Sequence, residues 1–205
     1  MDQKSIPNLY QNTTVKNNPL YKDALKMTGS TLFATMFCVI VLVYMSFLIN
    51  EGVWGAIIYQ AFNLLIYTPI IYMAAWRNGY KDKNLVHGRH MNEDRLRGVK
   101  IGLLSIVPYG LCMIVMIFSK AGILPDLVPL VRFLYAPFIV FFNLLVPNQL
   151  GPDLPQTVLD ASYLGIFMAS LLQLYIPVVT GVAYRLGYKD ISLYHKLIYR
   201  SDKKV

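Results

Sequence analysis

The chain has little charge and almost no cysteine. Charged residues make up 15% of its 205 residues and hydrophobic residues 56%, a balance that excludes an ordinary soluble domain. The two cysteines, Cys38 and Cys112, show no CxxC spacing and both fall in apolar segments. We therefore expect them to be small packing residues rather than a disulfide or a redox centre.

The common motifs of enzyme chemistry are also missing. The sequence has no Gly-rich phosphate loop, no GxSxG motif and no HExxH motif. His87, His90 and Glu93 have a spacing that would suit zinc or iron on a helix, but Gly88 disfavours a helix there and neighbouring arginines repel a cation. We expect no metal site and no cofactor, and an enzyme is the minority hypothesis.

Long apolar runs are what the sequence has in abundance. Residues 29–49, 53–75, 101–118 and 161–183 contain no Lys, Arg, Asp or Glu. Each approaches or exceeds the length of about 20 residues that a helix needs to cross a bilayer. The predicted fold class is all-α, a polytopic integral membrane protein with four transmembrane helices, preceded by a polar tail at residues 1–28.

The positive charge lies almost entirely on one side of this four-helix arrangement. Of 19 Lys and Arg residues, 17 fall in the tail 1–28, in residues 77–100 or from Arg185 onward, and only Lys120 and Arg132 lie elsewhere. The positive-inside rule then predicts a multi-pass cell-membrane protein with both termini cytoplasmic. We expect these charges to meet membrane lipids rather than nucleic acid.

A motif at the end of the second apolar run returns at the end of the fourth. Residues 76–82, Trp-Arg-Asn-Gly-Tyr-Lys-Asp, recur 108 positions later as Tyr-Arg-Leu-Gly-Tyr-Lys-Asp. Across residues 67–85, nine of nineteen positions match their counterparts, which indicates an internal repeat. We predict two parallel repeated hairpins, within residues 29–98 and 99–190, followed by an amphipathic basic tail at 191–205.

The repeated motif has a structural and a functional interpretation. In the structural one, Gly79 and Gly187 end their helices in the left-handed conformation, beside cations that face the negative helix ends. In the functional one, the two copies are docking sites for a cytoplasmic partner. The ten residues of those sites are Arg77, Gly79, Tyr80, Lys81, Asp82, Arg185, Gly187, Tyr188, Lys189 and Asp190.

An insert, residues 120–160, separates the two runs of the second hairpin. Its apolar part, residues 127–147, is expected to be a re-entrant or interfacial segment. A fifth crossing is the alternative, but it would place the charges from Arg185 onward on the outer side.

Polar side chains in the insert and the spans are candidate ligand-binding residues. Arg132 either snorkels to the interface, pairs with Asp126 or binds an anion. The neutral groups could line a pocket with it, although such groups often only link helices. The candidates are Arg132, Asn143, Gln60, Asn63 and Gln173.

Together these patterns predict a non-catalytic multi-pass membrane subunit. It would assemble with itself or with a larger transport or export complex, and its outer insert would bind a ligand, a lipid or a partner. A small oligomeric transporter of an anionic or lipid-like solute is the alternative. A membrane enzyme acting on lipid or phosphate is the second alternative.

Overall fold

The structure is a computed structural model that describes residues 19–125, 127–146 and 161–191. Within these residues the regular elements are helices, and no strand is present. The prediction of an all-α chain is confirmed for this part of the protein. Of the predicted polar tail 1–28, residues 1–18 lie outside it and α1 begins at Leu20, and of the predicted basic tail 191–205, residues 192–205 lie outside it.

Eight α-helices and two short 3-10 turns make up the described fold. The turns are Ala136–Phe138, between α5 and α6, and Leu172–Leu174, between α7 and α8. The helices are α1 (Leu20–Asn50), α2 (Val53–His87), α3 (Arg97–Ser105), α4 (Val107–Lys120), α5 (Val128–Leu134), α6 (Ile139–Leu145), α7 (Tyr163–Leu171) and α8 (Tyr175–Tyr188).

Four helical runs in the described residues are long and apolar enough to cross a membrane. They are Leu20–Ile49, Val53–His87, Arg97–Lys120 and Tyr163–Tyr188. The third joins α3 to α4 through a break at Ile106, before Pro108, and the fourth joins α7 to α8. The prediction of four such helices is confirmed, and the exposed apolar side chains along them are those that lipid would cover.

The four runs form a closed bundle. α2 packs against both α1 and α8, and α3 packs against α8 and α1, so each helix of the ring has two neighbours. α4 continues from α3 and contacts α7. α1 and α2 are joined by a tight turn in which Gly52 has a φ of 88°, a conformation that favours glycine.

The apolar part of the insert enters the bundle as a bent pair of short helices. α5 and the segment Ala136–Leu145 meet at an angle of 79°. The 3-10 turn between them contacts both α1 and α2, and its three residues are buried. A break of this kind is typical of a broken span or a re-entrant segment.

The prediction that Gly79 and Gly187 end their helices is wrong. α2 continues past Gly79 to His87, and α8 ends at Tyr188. The glycines with positive φ among the described residues are Gly52 and Gly122. Helix α2 is instead followed by Arg89 at φ 57° and α8 by Asp190 at φ 59°, so non-glycine residues take the left-handed position after each helix.

Candidate functional site

A buried charge network ties together one end of the bundle, which we call the charged end. Arg97, at the start of α3, donates from Nη2 to Asp23 Oδ2 of α1 at 2.8 Å and from Nε to Asp82 Oδ2 of α2 at 2.8 Å. The hydroxyl of Tyr184 in α8 donates to the same Asp82 oxygen at 2.9 Å. The network therefore places one end of each of the four helices at the same level.

Burial makes this network energetically demanding. Asp23 is 2% exposed, Asp82 1%, Tyr184 3% and Arg97 8%. Taking charges out of water costs several kcal/mol per ion, and it is offset only when the charges face one another with good hydrogen bonds. Lys81 adds a longer contact, 3.8 Å from its Nζ to Asp23 Oδ1. Losing one member would leave the others buried without compensation.

The two repeated glycines lie where α2 and α8 cross, just beside this network. A Cβ added to Gly79 would meet the carbonyl oxygen of Tyr184 at 2.1 Å, and one added to Gly187 would meet that of Trp76 at 2.1 Å. Trp76 and Tyr184 occupy equivalent places in the two copies of the motif. The contact is therefore reciprocal, and it needs glycine because two helix backbones touch there.

The structure divides the ten predicted docking residues between the interior and the surface. Asp82 is part of the charge network, and Gly79 and Gly187 are buried in the crossing of α2 and α8. Tyr188 is half-buried. The exposed members are Arg77, Tyr80, Lys81, Arg185, Lys189 and Asp190.

Deeper in the bundle, three amide side chains are buried among apolar helices. Gln60 and Asn63 lie one turn apart on the inner face of α2, and Gln173 lies in the 3-10 turn before α8; their exposures are 4%, 0% and 3%. Gln60 donates from Nε2 to the carbonyl oxygen of Pro137 at 2.7 Å, which links α2 to the bent segment.

Tyrosine hydroxyls lie near two of these amides, Tyr59 near Asn63 and Tyr135 near Gln173. Thr35 of α1 and Tyr109 of α4 have their oxygens 3.5 Å apart, and the side chain of Tyr67 reaches both residues. We call the whole set the polar core cluster. It consists of Thr35, Tyr59, Gln60, Asn63, Tyr67, Tyr109, Tyr135 and Gln173.

Much of the polar core cluster has no hydrogen-bond partner within the described protein. The atoms without one include both amide atoms of Asn63 and of Gln173, Oε1 of Gln60, and the hydroxyls of Tyr59, Tyr67 and Tyr135. Asn63 touches Tyr59, and Gln173 touches Tyr135, but without the geometry of a hydrogen bond. Each buried unsatisfied group costs about 1–3 kcal/mol, so a set of them in one place calls for a functional explanation.

Phe138, at the bend, closes the cluster on one side. Its ring stacks edge-on against Tyr67 with centroids 5.7 Å apart and against Tyr175 with centroids 5.6 Å apart. Tyr67 lies about 14 residues into α2, which at about 1.5 Å per residue is about 21 Å from the start of the helix. The bent segment therefore reaches the middle of the bundle.

The other two predicted ligand residues lie on the arms of the bent segment. Arg132 in α5 and Asn143 in α6 are both half-buried. Asp126, the predicted partner of Arg132, lies outside the described residues. Of the five candidates, the structure places Gln60, Asn63 and Gln173 in the fully buried cluster.

No metal centre is present in the part of the chain that the structure describes. No group of three or more His, Cys, Asp or Glu residues there could hold a metal ion. His87, His90 and Glu93 are all exposed at the charged end.

Sequence reasoning missed the charge network and the contacts of the Phe138 ring with Tyr67 and Tyr175. The available signal for the network was that Asp23 and Arg97 each stand just before an apolar run, on the side of the membrane where Asp82 was expected. Their pairing across separate helices depends on the packing of the bundle. Nothing in the sequence around Phe138 distinguishes it from its apolar neighbours.

The chain was compared with protein-family models, with curated proteins and with solved structures, and none of the three comparisons finds a match. The functional interpretation therefore depends on the geometry described above.

Proposed function

We propose that this protein is a non-catalytic membrane-embedded binding subunit whose polar core cluster holds a small uncharged solute. The observation that carries the proposal is the group of buried amide and hydroxyl atoms at Asn63, Gln173 and Tyr135 that form no hydrogen bond with any described residue. Amides both donate and accept, and the cluster contains no charged side chain. A neutral solute rich in hydroxyl or amide groups suits it better than an anion.

The proposed arrangement in the membrane is two parallel hairpins related by an internal repeat. Its support is the reciprocal contact of Gly79 and Gly187 and the position of Phe138 between Tyr67 and Tyr175, which are repeat counterparts. Binding sites near the middle of the membrane, between repeats and beside broken helices, are common in transporter folds. The bent segment would enter and leave on the outer side, and the basic charged end would face the cytoplasm.

Cysteine labelling in intact cells tests this topology. Cys38 and Cys112 are first replaced by alanine, and single cysteines are then introduced as Glu51→Cys, Ala121→Cys and Lys189→Cys. An impermeant thiol reagent added outside should modify positions 51 and 121, and should reach 189 only after permeabilisation. Modification of 189 together with 51 from outside would mean that the bent segment crosses the membrane.

Solute binding is tested by the thermal stability of the purified full-length protein in a panel of small polyols, amides and nucleosides. A bound solute at about 100 times its Kd stabilises a protein by about 2.7 kcal/mol, which is readily detected. Asn63→Leu and Gln173→Leu should abolish the shift while the proteins stay folded. Ser170→Ala is the control, because the Ser170 hydroxyl bonds within its own helix, to Phe167 O at 2.6 Å.

A panel without any stabilising solute would count against the proposal, and so would an unchanged shift in the Asn63→Leu protein. An oligomeric transporter of the same solute is the alternative. Solute flux in reconstituted vesicles that disappears in Gln173→Leu would favour the transporter over a subunit that only binds.

Assembly with a cytoplasmic partner remains part of the proposal. The exposed cations Arg77, Lys81, Arg185 and Lys189 would provide the docking surface. Replacing Asp82 cannot test this, because its loss would disrupt the buried network. Charge reversal at Arg77, which is exposed and lies outside that network, is the cleaner test, and unchanged co-purification of partner proteins would contradict docking there.

A further inference from the structure

An apolar groove runs along the membrane-facing surface between α3 and α8. Its volume is about 450 Å³. Leu103 lines it from α3, and Leu174, Val178 and Val182 line it from α8. All four side chains are between 45% and 63% exposed, so the groove opens outward to where lipid would lie.

One charged side chain, Arg185, lies at the end of this groove and also lines a second, polar groove of about 410 Å³ at the charged end. The second groove includes Tyr188 and Lys189 of the same chain segment and Glu93, Asp94 and Arg95 of the loop before α3. The two grooves therefore meet at Arg185, with an apolar section on one side and a polar section on the other.

The charge of the polar groove favours an anion despite its two acidic residues. Glu93 is 3.6 Å from Arg95, and Lys100 donates to Asp94 at 2.8 Å, a hydrogen bond that lowers the pKa of Asp94. Both carboxylates thus already face cations. Arg185 and Lys189 take part in no ion pair with a described residue.

We propose that the α3–α8 groove binds one phospholipid with an anionic headgroup. An acyl chain would occupy the apolar section, and the phosphate and headgroup would lie against Arg185 and Lys189. A soluble anion would use only the polar section, and a neutral lipid would gain nothing from the two cations. The combination of both sections selects an anionic amphiphile.

The counterpart surface on the other hairpin provides a matched control. Arg77 corresponds to Arg185 and is also exposed, although α2 continues beyond it to His87. However, the counterpart of Gly181, which lines the groove, is Met73, a long side chain that is 47% exposed. Arg77 therefore has a similar charge, and it lines neither of the two grooves that meet at Arg185.

Native mass spectrometry of the full-length protein, titrated with phosphatidylglycerol or phosphatidylcholine in detergent, tests the proposal. The wild type should retain one phosphatidylglycerol with clear preference over phosphatidylcholine. Arg185→Gln should bind it about fivefold more weakly, the effect expected of one cation near a membrane surface, whereas Arg77→Gln should not differ from wild type. Equal losses in the two variants would overturn the site in favour of unspecific attraction.

Filling the groove tests the acyl-chain section. Val178→Trp should reduce phosphatidylglycerol binding, and Val182→Trp, on the same face one turn later, is a second filling variant should the first fail to fold. Val43→Trp is the control, because Val43 is 70% exposed on α1, a helix that does not line the groove. Binding unchanged by the filling variants, or inorganic phosphate competing as well as the lipid, would overturn the proposal.

Discussion

The charged end and the polar core cluster are both buried polar regions, but they are built in opposite ways. At the charged end, Arg97 and Tyr184 direct three short hydrogen bonds at two carboxylates. In the polar core cluster, Asn63 and Gln173 have no hydrogen-bonded partner for their side chains among the described residues. At the charged end opposite charges face one another, although Asp82 Oδ1 has no hydrogen-bond partner among the described residues, and such pairing fixes the fold. Buried amides with no hydrogen-bonded partner are instead suited to hold something else.

The difference follows from what each region has to join. The charged end joins the ends of four helices. Opposite charges from different helices must meet there for the bundle to close. The polar core cluster lies between α2, the bent segment and the 3-10 turn before α8, where regular helix packing is interrupted. Interrupted helices at membrane depth leave polar groups that a wet cavity or a solute can use.

The largest expected effect comes from removing the cation of the charged end. Arg97→Met leaves Asp23 and Asp82 buried without their common partner, and we expect a loss of about 3–5 kcal/mol in the free energy of unfolding. Equilibrium unfolding in mixed micelles measures it. The triple variant Asp23→Asn, Asp82→Asn, Arg97→Met should recover most of the loss, because it removes all three charges. An Arg97→Met protein as stable as the wild type would contradict the stabilising role that distinguishes the charged end from the polar core cluster.

The helix crossing beside the charged end gives the next effect. Gly79→Ala and Gly187→Ala each place a methyl group against a backbone carbonyl, and overpacking of this kind costs about 1–3 kcal/mol. Thermal unfolding should show similar losses for the two variants. Gly29→Ala is the control: a Cβ there has no atom within 4 Å, so the variant should gain up to about 1 kcal/mol from helix propensity.

The polar core cluster should respond in the opposite direction. Asn63→Leu exchanges an unsatisfied buried amide for an apolar side chain of similar size, and we expect unchanged stability or a gain of about 1 kcal/mol. Gln60→Leu should instead lose about 1 kcal/mol, because Gln60 donates to Pro137 O. The comparison uses the same unfolding measurement. A loss of several kcal/mol in the free energy of unfolding of Asn63→Leu would show that the cluster stabilises the fold.

The smallest effect is expected at the exposed ion pair of Asp94 and Lys100. The hydrogen bond from Lys100 lowers the pKa of Asp94, so this pair stabilises the fold above the unfolded pKa and stops doing so as the pH falls through the folded value. Solvent screens the pair, and Asp94→Asn should cost less than about 0.5 kcal/mol at neutral pH. A titration of unfolding between about pH 3 and 7 should show that the wild type and the variant converge at the acidic end.

The sequence predicted the four long apolar helices because transfer from water to lipid depends on composition over a length that can be counted. It also pointed to Gln60, Asn63 and Gln173, since polar groups in apolar runs are conspicuous. It did not predict the role of Gly79 and Gly187. A glycine after an aromatic residue and a cation is typical of a helix end. Only the proximity of a second helix shows that these glycines instead allow two helix backbones to touch.

What the sequence determined by itself is therefore the class of the molecule: an all-helical chain with four helices suited to lipid. Tertiary structure alone decided which polar groups are satisfied. Asp82 and Asp190 occupy the same position in the two copies of the motif, yet one is buried against Arg97 and the other is exposed beside Lys83. Hydropathy is a sum over neighbouring residues in the chain, whereas a hydrogen bond depends on the position of a partner that is far away in the sequence.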